Sequence, residues 1–561
     1  MTAQPSAREP RGHFDAIVVG SGFGGAVMTY RLAEAGMSVC LLERGKPYPP
    51  GSFPRSPWEV GRNFWDPSEG LHGLFDVWSF RGLGGIVASG LGGGSLLWSN
   101  VVLRKDRSTF VKEEGEYWPV TYDDLEPHYE RHERMLKATP YPYDQAPYDR
   151  TYKTKAMEHA AGRLDLEWFL PPLAVSFDPG DGRPRPGEPI QGEENLHGRT
   201  RLTCLLCGEC NVGCNYGAKN TLDFNYLSLA KLRHGAEIRT RCEVKTFAPR
   251  DGGGYTVDYV DHSDAAEGEQ RSSPLPPRRL TADRLILSAG AFGSTYLLLR
   301  NRAAFPGLSD RLGTHFCGNG DLLTLAIKAR EAGGPRIVDP GYGPVITSTI
   351  RVKDAAEGGP GRAYYIQDGG HPQIVNWIIE ASYQLGVLRK GVRLAIRLAR
   401  LWLRIDRRSD IGREIARFFS PADLSSSSMP LFSMGRDTPD GNMTLTNDDY
   451  LDVDWNRKSS TPFFNDLRKT ARRVAGVLDA KFMDSPPWYL SRSVTVHPLG
   501  GCPMGRDARE GVVDSYGRVF DHPGFVIADG SVLPGPVGPN PSTTIAAIAH
   551  RAADRLIADA G

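Results

Sequence analysis

Little in this sequence leans to one side. Its 67 basic and 66 acidic residues leave a formal net charge of +1, so the positive excess that draws proteins to nucleic acid is missing and no nucleic-acid partner is expected. The opening stretch, MTAQPSAREPRGHFD, holds no apolar run before the first strand. No secretory signal or membrane anchor is visible there, and a cytoplasmic protein is expected. Cysteine is scarce, with 8 in 561 residues. Cys40, Cys242, Cys317 and Cys502 are scattered and show no secreted disulfide framework, which agrees with a reducing compartment. No internal repeat of fixed period occurs. The length exceeds one simple core and suggests about two to four domains, or a few interleaved ones, with room to bury a large cofactor.

What is present starts with a βαβ pattern. Ile17 to Val19 is a short apolar run, GSGFGG follows, a helical pattern runs from Ala26 to Ala35, and Val39 to Leu42 reads as a second strand ending in Glu43. In Gly20-x-Gly22-x-x-Gly25, the first glycine permits a tight turn and the second admits a pyrophosphate to the backbone. The third lets the helix pack on the sheet, with the helix N-terminus facing the anion. Glu43 then stands where a carboxylate accepts hydrogen bonds from a ribose. This much does not separate FAD from NAD. GLGGGSLLWSN (90–100) favours FAD, because Gly92, Gly93, Gly94 and Ser95 offer unobstructed backbone N–H groups to a phosphate or a flavin edge. So does the end of the chain. Phe525 to Ala528 form a strand that delivers Asp529 and Gly530 to a turn, and a terminal helix starts at Asn540-Pro541 with Ile545, Ile548, Ala549, Ala552 and Leu556 on its buried face. Leu285 to Leu287, followed by SAGAFGS, is one more strand-to-glycine turn.

Between these lie a Pro-, Gly- and aromatic-rich loop or lid (47–74), a linker (178–189) and a polar insert (261–279). Residues 388–405, LRKGVRLAIRLARLWLRI, carry Arg393, Arg397, Arg400 and Arg404 along one helical face. Such a helix either packs solvated on its own domain or touches an anionic membrane surface.

GSGFGG, GLGGGSLLWSN, WPVTYDDLEPHYE (118–130), GAFGSTYLLL (290–299), HPLGGCPMG (497–505) and DGSVLPGPVGPNPSTTI (529–545) together resemble the glucose-methanol-choline (GMC) flavin oxidoreductases, with the C-terminal part similar to bacterial cholesterol oxidases. The resemblance implies an α/β fold with a doubly wound, Rossmann-like FAD-binding domain built from separated segments (12–48, 80–115, 201–320 and 485–561). An antiparallel-sheet α+β substrate domain (116–200 and 321–484) completes it. It also implies hydride transfer from an alcohol CH–OH to flavin N5, preferably from a bulky apolar, sterol-like alcohol, with oxygen or another acceptor reoxidising the flavin. His497 and Asn540 would be the catalytic pair, and Val244, Ala289, Gly290, Asp529 and Gly530 would join the cofactor set. An imidazole can take or orient the hydroxyl proton as hydride leaves, and an amide can hold the oxygen. Asn540-Pro541 also suits an N-cap and first helical position. Where the cholesterol oxidases use a glutamate to isomerise the product's double bond, this chain has Gln367, with Asp368 beside it; an amide cannot shuttle that proton. A polyol or sugar dehydrogenase passing electrons through an iron–sulfur cluster, and a non-catalytic flavin electron-transfer protein, are the alternatives.

The other four cysteines fall in CLLCGECNVGC (204–214), where Cys204, Cys207, Cys210 and Cys214 follow C-x2-C-x2-C-x3-C. In ferredoxins of this spacing three thiolates wrap one iron–sulfur cluster and the fourth serves another. Structural zinc more often pairs two separated knuckles. The readings open here are an iron–sulfur cluster, zinc or disulfides, and a compact thiol turn leading into a helix that begins within GAKNTLDFNYL (217–227).

Overall fold

The computed structural model describes residues 12–55, 61–113, 116–265, 268, 275–372 and 423–560. The basic segment 388–405, and with it the choice between a solvated helix and membrane contact, lies outside these residues. Among the described residues no helix is long and apolar enough to cross a membrane.

The first strand, His13–Val19, is apolar on both faces, and both are covered. Ile17 and Val19 pack into one layer with Leu285, Leu287, Phe525 and Ile527, while Ala16 and Val18 pack into the other with Ile286 and Val526. A strand buried twice over belongs to a sheet sandwiched by helices. Two of those helices, Phe23–Glu34 and Ser542–Ala558, supply Val27, Met28, Leu32, Ala549, Ala552 and Leu556 to the second layer. The sheet runs Glu237–Arg239, Val39–Leu42, His13–Val19, Arg278–Leu287, Tyr255–Asp261, Cys242–Pro249. Its first four strands are parallel. The long strand Arg278–Leu287 divides its outer edge: its first half takes the antiparallel Tyr255–Asp261 and its last residues take Phe525–Ile527 in parallel.

A second sheet is antiparallel throughout, in the order Lys481–Asp484, Leu322–Ile327, Met429–Gly435, Tyr364–Asp368, Thr349–Val352, Glu167–Phe169. One face buries Ile350, Tyr364, Ile366 and Leu431 against Met157 and Ala160 of helix Tyr152–Leu164 and Leu467 and Val474 of helix Thr461–Val477. Successive strand residues point to opposite faces, so Thr349, Gln367 and Phe432, paired across three strands, share the other face. The α/β class with a doubly wound part and an antiparallel sheet is thus borne out.

The helix expected to begin within 217–227 does so only at the end of that range, and two other local expectations are corrected. The stretch after the cysteines is a loop as far as Asn225, and its helix is only Tyr226–Leu232, because Gly217 is left-handed (φ 67°) and Asn225 caps Tyr226 through its own side chain. The terminal helix starts at Ser542, not at Asn540-Pro541, and no side chain caps it. Within the 47–74 loop, Trp65–Asp66 and Leu71–His72 pair as a small antiparallel ribbon.

Contacts at the first turn are tighter than any side chain allows. A Cβ on Gly24 would stand 1.5 Å from the Ala528 carbonyl oxygen, and one on Gly25 would stand 1.9 Å from that of Gly20. At Gly22 a Cβ would meet no atom within 4 Å. Gly24→Ala is therefore expected to destabilise the fold by about 3 kcal/mol in denaturant titrations. Gly22→Ala should leave the midpoint of the flavin-free protein in place while weakening flavin retention, and equal flavin-free midpoints for the two variants would refute the steric argument.

Candidate active site

The parallel strands of the first sheet end together, and each hands the chain to a turn. Val19 leads to Gly20, Leu42 to Glu43, Leu287 to Ser288 and Ile527 to Ala528, so the glycine turn, Glu43, Ala289–Gly290 and Asp529–Gly530 gather at one edge. Ligands of open α/β sheets sit outside these carboxyl ends. Gly20 has φ 96°, and a Cβ there would press on the Ser288 carbonyl at 2.4 Å. The flavin-loop residues arrive on top: Gly92 (φ 112°) and Gly93 (φ 53°) are left-handed, and a Cβ on Gly93 would touch Gly22 Cα at 2.6 Å. Gly94 faces open space. Ser95 Oγ donates to the Gly92 carbonyl and accepts from Leu222 N–H.

Glu43 is buried and accepts from Ser21 N–H, Ser21 Oγ and Gly45 N–H, while Ser21 Oγ accepts in turn from Gly92 N–H at 2.9 Å. Glu43 thus ties the two glycine loops together. Asp529 is fully used by the protein: its carboxylate accepts from Gly290 N–H, Ser294 Oγ, Ser531 N–H and Ser531 Oγ, and burial holds its pKa above the usual carboxylate value. Ala289 N–H donates to Ser294 Oγ in the same knot. Val244 lies in the buried layer on strand Cys242–Pro249, whose first residue donates its N–H to the Glu43 carbonyl.

Several buried polar atoms around this cradle have no protein partner: both amide atoms of Asn100, Ser89 Oγ, Asp223 Oδ1, Ser542 Oγ and Thr543 Oγ1. Asn100 follows the flavin loop in a left-handed conformation (φ 68°), and a Cβ on Gly92 would lie 3.4 Å from Asp223 Oδ1. Ser542 and Thr543 open the terminal helix, whose N-terminal end carries partial positive charge. Buried polar groups are normally satisfied, so orphans beside glycine backbone left bare of side chains fit a large polar cofactor such as FAD. The sequence reading missed Gly24, Asn100 and Asp223; the unbroken GFGG and WSN runs carried the signal for the first two, while nothing local marks Asp223.

The proposed catalytic residues lie on two loops held by one segment. His497 Nδ1 donates to Asp321 Oδ1 at 2.7 Å. The other oxygen of Asp321 accepts from Thr495 Oγ1 and from the N–H groups of Val496 and His497. With its proton at Nδ1, a neutral His497 presents Nε2 as an acceptor. Two residues before Asp321, Asn319 accepts from Val537 and Gly538 N–H and donates to the Pro539 carbonyl, which fixes the approach to Asn540. Asn540 is buried, and instead of capping the helix its Oδ1 accepts from Gln367 Nε2 at 2.9 Å. That contact turns the Asn540 amide nitrogen free to donate. Asp321 and Asn319 went unread because GNGD reads as a turn with no partner in view.

Asp368 points to the opposite face from Gln367. It accepts from Thr347 N–H, Ser348 N–H, Thr347 Oγ1 and Lys153 Nζ (2.8 Å), with Lys153 and Asp368 both wholly buried. The four loop cysteines line one small cavity. They adjoin the cradle, as Ser99 Oγ donates to Asn211 Oδ1 at 2.9 Å. Among the described residues no three His, Cys, Asp or Glu side chains are arranged to hold a single metal ion.

Residues 194–317 and 437–549 match the family described as GMC oxidoreductase, and residues 18–48 match an NAD(P)-binding Rossmann-like domain. Proteins named cholesterol oxidase are similar over most of their length. The one from Mycobacterium tuberculosis is 29% identical over 96% of this chain and 90% of its own, and that of Acinetobacter baumannii is 29% identical over 96% and 93%. The crystal structure of pyridoxine 4-oxidase from Mesorbium loti superposes with a TM-score of 0.57 at 16% identity, covering 96% of this chain and 98% of that one; it bears on the fold alone.

Asp321→Asn replaces an acceptor by a group that can donate to Nδ1, which favours the wrong tautomer of His497. A fall in kcat of about 100-fold or more is expected, with flavin content unchanged. Wild-type turnover in that variant would remove Asp321 from any part in the chemistry.

Proposed function

The chain belongs to the GMC oxidoreductase family, and from that premise we propose that it oxidises the CH–OH group of a bulky apolar, sterol-like alcohol to a carbonyl. As a member of that family it is a flavoenzyme acting on alcohols. FAD would be held by the Gly20–Gly22–Gly25 turn, Glu43, the Gly92–Ser95 loop, Asn100 and the start of the terminal helix. Once bound, it supplies the hydride acceptor.

The observation that carries the reading is the His497–Asp321 hydrogen bond at 2.7 Å, which leaves Nε2 as the proton acceptor. His497 Nε2 takes the hydroxyl proton, and Asp321 steadies the positive charge that develops on the ring. The Asn540 amide, turned by Gln367, donates to the substrate oxygen and holds the carbinol carbon in register. The sheet face carrying Gln367 also bears Tyr365 and Met434, both buried, and half-buried Phe432, beside Thr349 and Arg351, and those three large side chains support a bulky, largely apolar substrate. The similarity to proteins named cholesterol oxidase points the same way.

Anaerobic additions of a sterol, an aliphatic alcohol and a sugar, followed by flavin absorbance, test both parts. Bleaching by the sterol is expected. Bleaching by sugars alone would overturn the substrate class, and no bleaching by any alcohol would overturn the enzyme.

Gln367 makes a narrower statement possible. Its amide has no accessible protonation near neutral pH, and Asp368 is locked to Lys153 on the far face, so neither of these two residues stands ready to move a proton between carbons. A 3β-hydroxy-5-ene sterol should therefore give the unconjugated 3-ketone, and Gln367→Glu should add the conjugated enone. Rapid enone release by the unmodified enzyme would show that another base serves.

A further inference from the structure

We propose that Cys204, Cys207, Cys210 and Cys214 jointly bind one 4Fe–4S cluster that takes electrons singly from the flavin. The proposal rests on the flavoenzyme reading above and adds a second redox centre to it. In the spacing's ferredoxin form the fourth thiolate leaves for another cluster. Here all four cysteines line a common cavity with Tyr216 and Lys219, so one site receives them all. None is in a disulfide.

The backbone is wound as a thiolate-binding knuckle. Leu206 is left-handed (φ 60°) although a bulky residue resists that region, and Gly208 follows at φ 69°. The turn aims Leu206 N–H at Cys204 Sγ (3.5 Å). Donors placed on sulfur favour the deprotonated, ligating form.

A buried cation waits beside them. Lys219 is wholly buried, yet its three hydrogen bonds go to the carbonyl oxygens of Leu96, Trp98 and Cys210. An unpaired buried charge is costly; four thiolates around an iron–sulfur core supply the missing negative charge, whereas four neutral thiols do not. A single ion is a poor match, since no three ligands converge on one point among the described residues. A cluster instead takes its thiolates at separate corners of a core. The cavity is about 20 Å³, and its solvent side is formed by exposed Leu205 and half-buried Cys207, Cys210 and Cys214.

Position supplies the function. The turn Cys210–Val212 packs on Gly93–Leu96 of the flavin loop, and Lys219 bonds both. One alcohol oxidised leaves two electrons on the flavin and releases the hydroxyl proton through His497. A bound cluster would accept these electrons one at a time and hand them to an external one-electron acceptor, the proton of the hydride leaving the flavin as it is reoxidised.

The test uses the full-length protein purified anaerobically with its flavin. Iron, acid-labile sulfide and zinc are measured per flavin, before and after incubation with ferrous iron and sulfide. About four iron and four sulfide per chain are expected, with a paramagnetic signal appearing on reduction by dithionite. Cys207→Ser and, as a second variant, Cys210→Ala should lose the iron and that signal with flavin content retained. Less than about a tenth of an iron per flavin after reconstitution, zinc in its place, or full iron in both variants overturns the proposal. Flavin bleaching by alcohol is read separately: bleaching without iron sinks only the cluster, and iron without bleaching sinks only the alcohol chemistry.

Discussion

Backbone pressed on backbone at the first turn is the constraint from which the site follows. Gly20 lies against Ser288, and Gly24 against Ala528, at separations no side chain could enter. Strands from three distant parts of the chain therefore end at one level, and their turns share one small volume. Glu43 and Ser21 then lock the flavin loop onto that level through Gly92 N–H. A carboxylate buried among three donors is strongly held, so Glu43 serves as the peg between the two loops.

The second sheet reaches this cradle through few polar contacts, and they coincide with the proposed chemistry. Gln367 crosses to Asn540. Residues 317–321 grip both reacting loops: Asn319 holds the chain before Asn540, and Asp321 holds His497. Movement of that segment would displace base and amide together. Its neighbour Asp437, buried and accepting from Gly318 N–H, is pushed up to about 7 by burial. Burial thus works toward a neutral carboxyl at this position, against the backbone N–H groups of Gly318 and Gly320 that favour its charge.

The glycine spacing, the second strand with Glu43 and the return of Phe525–Ile527 were legible because each is a local pattern with one geometric solution. The antiparallel sheet was legible only through resemblance, since its strands are short and separated by long connections. Contacts between distant residues were not legible at all. Nothing in GNGD names His497 as the partner of Asp321, and Asn540-Pro541 reads locally as a helix cap because the competing acceptor role, toward Gln367, comes from another sheet. The helix expected to begin within 217–227 starts only at Tyr226 for a related reason: tertiary bonds of Asn220 with Leu136 and Ser176 hold the preceding stretch out of a helix after a left-handed glycine. Alternation along Tyr364–Asp368, in contrast, separates Gln367 from Asp368 by the pleat alone.

The orphaned polar atoms of the cradle link this geometry to stability. Each buried group without a hydrogen bond costs about 1–3 kcal/mol, and Asn100, Ser542 and Thr543 alone carry four such atoms. Those costs are not simply additive, yet even part of them is large beside the net stability of a domain, about 5–15 kcal/mol. A ligand that satisfies these groups in the native state and finds no site in the unfolded chain stabilises the fold by mass action. The terminal helix carries two of the orphans at its first turn, and its far end packs against helix Phe23–Glu34 through Ala549, Ala552 and Leu556. The last segment of the chain is thus held by the first glycine helix on one side and by whatever fills the cradle on the other, which makes cofactor retention and closure of the doubly wound sheet one event.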